Sequence, residues 1–101
     1  MVWEPILASD VAPPTRLAMH RISDRRVRQY WDEQHVLAGR MKTDARIPQP
    51  EPHCCDSNGI LWDVAAVYPK SATWRETLPS AFVFDGPVVS ITSSIEAALA
   101  P

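Results

Sequence analysis

The chain has 101 residues and a formal net charge of −2, with 46% hydrophobic and 22% charged side chains. This length allows one domain at most, and the composition is typical of a globular protein. The charge is too close to zero for non-specific nucleic-acid binding, and no apolar stretch reaches the roughly 18 residues of a membrane helix. The N-terminus has no signal-peptide pattern, so we expect a cytoplasmic protein without nucleic-acid or membrane partners.

Short elements are predicted for the first part of the chain. A strand at 2–7 is followed by a turn-rich loop and a short helix at 16–22, where apolar residues recur at helical spacing. Apolar and polar residues alternate from 25 to 31, which indicates a strand or an extended segment. Asp32 is a good N-cap for a second helix at 33–42.

The last part of the chain is predicted to hold the most hydrophobic elements. The apolar run 60–68 predicts a strand buried on both faces, and Asp63 inside it would be a buried acid that needs a partner. Strands at 81–84 and 88–91 are predicted to form an antiparallel hairpin around an Asp-Gly turn. A capping-box pattern then opens a closing helix at 94–100.

The two cysteines of the chain, Cys54 and Cys55, are adjacent and follow His53 in a polar loop behind three alternating prolines. Adjacent cysteines close almost no loop, so they exclude a disulfide-stapled secreted scaffold. Thiolates and imidazole suit zinc, copper or mercury, and His20 and His35 could complete such a site. A redox-active pair and an ordinary exposed loop remain open as alternatives. No cofactor is predicted.

The segment 78–89, Leu-Pro-Ser-Ala-Phe-Val-Phe-Asp-Gly-Pro-Val-Val, and the helix after it resemble the C-terminal part of the thioredoxin fold. Thioredoxin-like proteins carry a cis-proline, an apolar strand, a Gly-containing turn, a return strand and a closing helix there. By this resemblance Pro79 occupies the cis-proline position. The rest of the chain is similar to a group of uncharacterised bacterial thioredoxin-like proteins, and the shared features are Trp3-Glu4-Pro5-Ile6-Leu7, Val27-Arg28-Gln29-Tyr30-Trp31-Asp32, and Trp62-Asp63 before Ala72 and Trp74.

The resemblance implies an α/β fold: one truncated thioredoxin-like domain over 1–101, with a mixed sheet and an insertion at about 33–76. In that group a Cys-x-x-Cys helix precedes the strand at 3–7, and Cys54-Cys55 matches neither its spacing nor its context. The resemblance therefore implies a non-catalytic domain or fragment. The missing strand would leave the sheet edge near 2–7 unprotected, which predicts a homo-oligomer.

An alternative function depends on the cysteine pair itself. The candidate thiol or metal site is His53, Cys54 and Cys55. With it the chain would be a thiol–disulfide oxidoreductase or a soft-metal-binding protein, rather than a domain without chemistry of its own. The sequence names no substrate for either function.

Overall fold

A computed structural model describes residues 1–45 and 54–101, and in these residues three helices accompany three two-stranded sheets. The predicted α/β class is therefore confirmed. The chain divides into two compact units, Met1–Leu37 and Ala38–Pro101. The three alternating prolines and His53 lie outside the described residues. No helix in the described ranges is long and apolar enough to cross a membrane.

The first unit contains a short parallel strand pair and one helical turn. Strand β1, Val2–Trp3, pairs with strand β2, Tyr30–Trp31, and helix α1, Arg16–Met19, lies between them in the chain. Thr15 caps this helix, because its hydroxyl accepts a hydrogen bond from a backbone N–H at 3.2 Å. β1 is shorter than the predicted strand at 2–7. Pro5 cannot donate to a ladder, which limits the strand.

Helix α2, Val36–Asp44, begins three residues after the predicted start of the helix at 33–42. The delay has a local cause, since His35 adopts a left-handed backbone with φ of 56° and cannot be part of a right-handed helix. Asp32 still provides an acceptor at the helix start. Its Oδ1 accepts a hydrogen bond from the N–H of Val36 at 2.8 Å.

The second unit contains an antiparallel hairpin of strand β3, Asp56–Ser57, and strand β4, Ile60–Leu61. Asn58 and Gly59 connect the two strands, and both have positive φ, 53° and 76°. A two-residue turn with positive φ at both positions matches the right-handed twist of paired strands, and Asn-Gly is the preferred sequence for it. The Asn-Gly sequence therefore accounts for the tight turn between β3 and β4.

The predicted strand at 60–68 is wrong as one continuous element. It is divided into β4 and strand β5, Ala65–Val67. Between them Asp63 adopts a left-handed backbone with φ of 53°, which strand geometry does not allow. The chain therefore changes direction at Asp63, and the two apolar segments join different sheets.

Strand β6, Val83–Asp85, pairs antiparallel with β5. The predicted return strand at 88–91 is wrong, because Val88–Ser90 forms a 3₁₀ turn. Pro87 lacks an N–H and cannot continue a ladder, so the chain leaves the sheet after β6. The closing helix α3, Thr92–Leu99, follows as expected, two residues ahead of its predicted start.

The core of the second unit is small. Its buried centre consists of Leu61, Leu78 and Phe84, of which Phe84 is only 1% exposed. The partly buried hydrophobic side chains packed against this centre are Met41, Ala45, Val64, Ala66 and Ala81. Because β4 and β6 each contribute one residue to this core, their backbones are held close to it.

The finer thioredoxin-like features are not confirmed. In the described residues the strands form three separate pairs rather than one mixed sheet. The predicted cis bond before Pro79 is also not confirmed, since the cis peptide bond recorded in residues 1–45 and 54–101 is Gly86–Pro87. The predicted C-terminal hairpin is absent there because β6 pairs with the preceding strand β5.

Candidate redox site

The side chains of Cys54 and Cys55 are joined by a disulfide bond between adjacent residues. The pair directly precedes β3 in the chain. The hairpin of β3 and β4 fixes the backbone of Cys55, the residue next to β3. The N–H of Trp62 donates to the carbonyl oxygen of Cys55 at 3.0 Å, one position beyond the paired residues Asp56 and Leu61. The backbone of Cys55 is therefore fixed by the ladder.

The two cysteines differ in burial. Cys55 is 7% exposed, whereas Cys54 is half-buried. Cys55 also has a left-handed backbone with φ of 80°, which turns the chain between the loop and β3. Cys55 is therefore the more enclosed residue of the pair, and Cys54 lies nearer to the surface.

Gly86 is the residue that makes room for the buried cysteine. A Cβ atom added at Gly86 would lie 3.0 Å from the Sγ of Cys55 and would overlap the carbonyl oxygen of Asp63. The strand register explains this position, because Ala65 pairs with Asp85 and the residue that follows β6 therefore reaches the turn at Asp63. Only a residue without a side chain fits between these two groups.

Gly86 was not expected at the site. The Asp-Gly sequence predicted a hairpin turn. A glycine required by a turn and a glycine required by close packing cannot be distinguished from the neighbouring residues alone. In the structure Gly86 is buried, and the direction in which a Cβ atom would point leads toward the Sγ of Cys55. No signal in the sequence could have placed these two residues together, because their proximity depends on how β5 and β6 pair.

The prediction that Asp63 is a buried acid is wrong, since this residue is exposed. The strand that would have buried it ends at Leu61, so its side chain is not enclosed by two sheet faces. The carboxylate has a structural partner instead. Its Oδ1 accepts a hydrogen bond from the N–H of Val88 at 3.2 Å, at the start of the 3₁₀ turn.

Charges near the cysteine pair are balanced. Lys42 of α2 and Asp56 of β3 form an ion pair with 2.6 Å between Nζ and Oδ2, and both side chains are more than a third exposed. Such a pair contributes little to stability because solvent screens it. Asp56 adjoins Cys55 in the chain, and its negative charge is offset by Lys42.

Metal binding remains a prediction. The described residues contain no group of three His, Cys, Asp or Glu side chains arranged to hold a metal ion. His53, the nearest predicted ligand, lies outside these residues. In the first unit His35 faces a carboxylate, with 3.1 Å between its Nδ1 and Oε2 of Glu4, and His20 is exposed.

Pro79 is half-buried and follows Leu78, a residue of the core. The N–H of Leu78 donates to the carbonyl oxygen of Asp44 at 2.9 Å, which ties this segment to the end of α2. Pro79 therefore lies next to the core residue Leu78, in the segment of the chain that precedes β6.

Comparison of this chain with protein-family models, curated proteins and solved structures finds no match. The thioredoxin-like resemblance, and the truncated domain with an insertion that it implies, stay predictions. The cysteine pair and the residues around it are therefore the basis for a functional proposal.

Proposed function

We propose that this chain is a non-catalytic domain whose Cys54–Cys55 pair responds to the redox state of its surroundings. In the reduced state the pair is two thiols. Oxidation removes two electrons and two protons and joins the two sulfurs; reduction reverses the step. The observations that carry the proposal are the closeness of the two sulfurs, which belong to neighbouring residues, and the partial exposure of Cys54.

The surroundings of Cys55 support a role in signalling a redox change. Its sulfur lies against Gly86, and its carbonyl oxygen accepts the Trp62 N–H. Separating the two sulfurs needs space for two thiols, and the buried one has little free volume beside Gly86. Reduction would therefore alter packing where β4, the Asp63 turn and the end of β6 meet.

A turnover function has less support. Catalytic dithiols depend on a thiolate stabilised by a helix N-terminus or a nearby cation, and the pair precedes a strand instead. Lys42, which contacts the residue next to Cys55, is already paired with Asp56. The proposal is therefore a redox-responsive domain, and the oxidoreductase is an outcome that the experiment below can reveal.

The test is a redox titration of the purified chain in glutathione buffers. The chain has only two cysteines, so every thiol lost belongs to this pair. We expect the mass to fall by two hydrogen atoms on oxidation, and the near-ultraviolet circular dichroism to change over the same range. The double variant Cys54→Ser, Cys55→Ser should show neither change.

Three other results would overturn the proposal. A pair that stays reduced in strongly oxidising buffer has no redox function. A reduced protein that retains zinc, copper or mercury stoichiometrically, and loses it in the double variant, is a soft-metal-binding protein. Catalytic reduction of a disulfide substrate that disappears in the double variant would identify an oxidoreductase.

A further inference from the structure

We infer that Cys54 is the sulfur that exchanges with thiols and disulfides from solution, and that Cys55 is the resolving sulfur, with small disulfides of the glutathione class as the reacting partner. This inference rests on the proposed redox function and deepens it by assigning separate roles to two adjacent residues. It is carried by the difference in their burial and by the packing around Cys55.

Exchange begins when a sulfur atom approaches another sulfur in line with the bond that will break, which requires access from solvent. Cys55 is 7% exposed and its Sγ contacts the position of Gly86. Its main chain is also held by the Trp62 hydrogen bond, so it cannot turn outward without breaking the ladder. Cys54 is half-buried and precedes the ladder, so it is the more accessible residue of the pair.

The oxidation step can be written with all atoms balanced. The Cys54 thiolate attacks one sulfur of the external disulfide, which forms a mixed disulfide and releases one thiolate of the partner. The Cys55 thiol then gives its proton to water, and its sulfur attacks the Sγ of Cys54. The Cys54–partner bond breaks and the second partner thiolate leaves. The pair loses two electrons, and the external disulfide gains them.

Reduction follows the same path in reverse. A small thiolate attacks the Sγ of Cys54, the bond between the two cysteines breaks, and Cys55 leaves as a thiolate that takes a proton from water. A second small thiolate then attacks the partner sulfur of the mixed disulfide, which forms the external disulfide and releases Cys54 as a thiolate. A large protein partner is disfavoured because Cys54 is only partly exposed. A tripeptide thiol presents its sulfur on a flexible side chain and needs little surface.

Two single variants test the assignment. Cys55→Ser and Cys54→Ser each retain one thiol, and a hydroxyl replaces the other sulfur with little change in size. With oxidised glutathione, Cys55→Ser should gain one glutathionyl group at least about tenfold faster than Cys54→Ser, since access and thiolate character set the rate. Mass spectrometry of quenched samples measures both rates. Equal rates, or a faster reaction of Cys54→Ser, would overturn the assignment.

A second measurement uses the wild-type chain and does not depend on how the variants fold. The reduced protein is treated with a short pulse of iodoacetamide, and peptide mapping locates the alkyl group. Cys54 should be modified first, and preferential modification of Cys55 would contradict the inference. If the wild type forms the internal disulfide but Cys55 reacts first, only the assignment is wrong. If no internal disulfide forms, the proposed function fails as well.

Discussion

The indole Nε1 of Trp74 donates a hydrogen bond to Oδ2 of Asp44, with 2.8 Å between the two atoms. Asp44 is only 1% exposed, and Nε of Arg40 donates to the same oxygen at 3.1 Å. A buried carboxylate is tolerated only when such donors replace water. Because the backbone of Asp44 also binds Leu78, this group joins the end of α2 to the core of the second unit.

Trp74→Phe should destabilise the second unit by about 1 to 3 kcal/mol, because it removes a hydrogen bond to a buried charged group while keeping an aromatic ring. Urea unfolding followed by circular dichroism measures the change in the free energy of unfolding. Trp62→Phe is a matched control at similar exposure, 38% against 37%. An equal loss in both variants would show that the Asp44 hydrogen bond is not the cause.

Gly86→Ala should lower the free energy of unfolding by about 1 to 3 kcal/mol, the usual cost of forcing extra volume into a packed site. The new methyl group would overlap the Asp63 carbonyl and press on the Cys55 sulfur. Unfolding should be measured with the cysteine pair oxidised and again with it reduced.

Gly39→Ala is the matched control for this substitution. Gly39 lies inside α2, and a Cβ there would meet nothing within 4 Å. Alanine is favoured over glycine in a helix by roughly 0.5 to 1 kcal/mol, so this variant should be more stable than the wild type. If Gly86→Ala were equally stabilising, Gly86 would not contact the site as described.

Tyr68 should make the protein less stable at alkaline pH. Burial raises the pKa of its phenol above the ordinary value, and no described residue accepts or donates a hydrogen bond at its hydroxyl. The unfolded chain therefore loses this proton at lower pH than the folded chain. The contribution of Tyr68 to the free energy of unfolding is fully present below the ordinary phenol pKa of about 10. This contribution is lost as the pH rises through the raised pKa of Tyr68 in the folded protein.

Tyr68→Phe should remove this alkaline component without lowering stability at neutral pH, since the lost hydroxyl has no partner in the described part of the chain. Urea unfolding as a function of pH provides the measurement. The control Tyr30→Phe changes a tyrosine that is 59% exposed, and it should retain the alkaline loss. The interpretation fails if both variants behave alike.

The predicted self-association can be tested in the first unit. In the described residues β1 and β2 pair with each other alone, so each strand has an open edge, and Ile6 and Leu7 just beyond β1 are 54% and 66% exposed. Open edges and exposed apolar side chains favour association between chains. We expect light scattering to detect a dimer at high concentration.

Leu7→Lys should shift this equilibrium toward the monomer, because a charge next to an open edge opposes pairing. Leu17→Lys is the matched control, since Leu17 is 78% exposed on α1 rather than beside the strand pair. A wild type that remains monomeric at high concentration would contradict the prediction of a homo-oligomer.

Local sequence was sufficient for several features of this protein. Asn58-Gly59 specifies its turn through the conformations that those two residues tolerate, and the resulting hairpin is the one observed. The closing helix follows from its apolar spacing, which acts within a few residues. The predicted capping box is wrong, because Ile91 is the N-cap of α3 and no side chain caps the helix. The cysteine pair needed no folding to become a candidate site, because its two sulfurs are neighbours in the chain.

The remaining features depend on contacts between distant residues. The apolar run 60–68 has the composition of one strand, but the left-handed turn at Asp63 divides it between two sheets. β6 could have paired with the segment after it, and its pairing with β5 was decided by the core around Phe84 and by Pro87, which cannot continue a ladder. That choice places Gly86 against Cys55 and makes Cys55 the buried residue of the pair. The sequence by itself determined that two thiols are adjacent, and only the tertiary structure made them unequal, because burial is a property of the packing and not of the local chain.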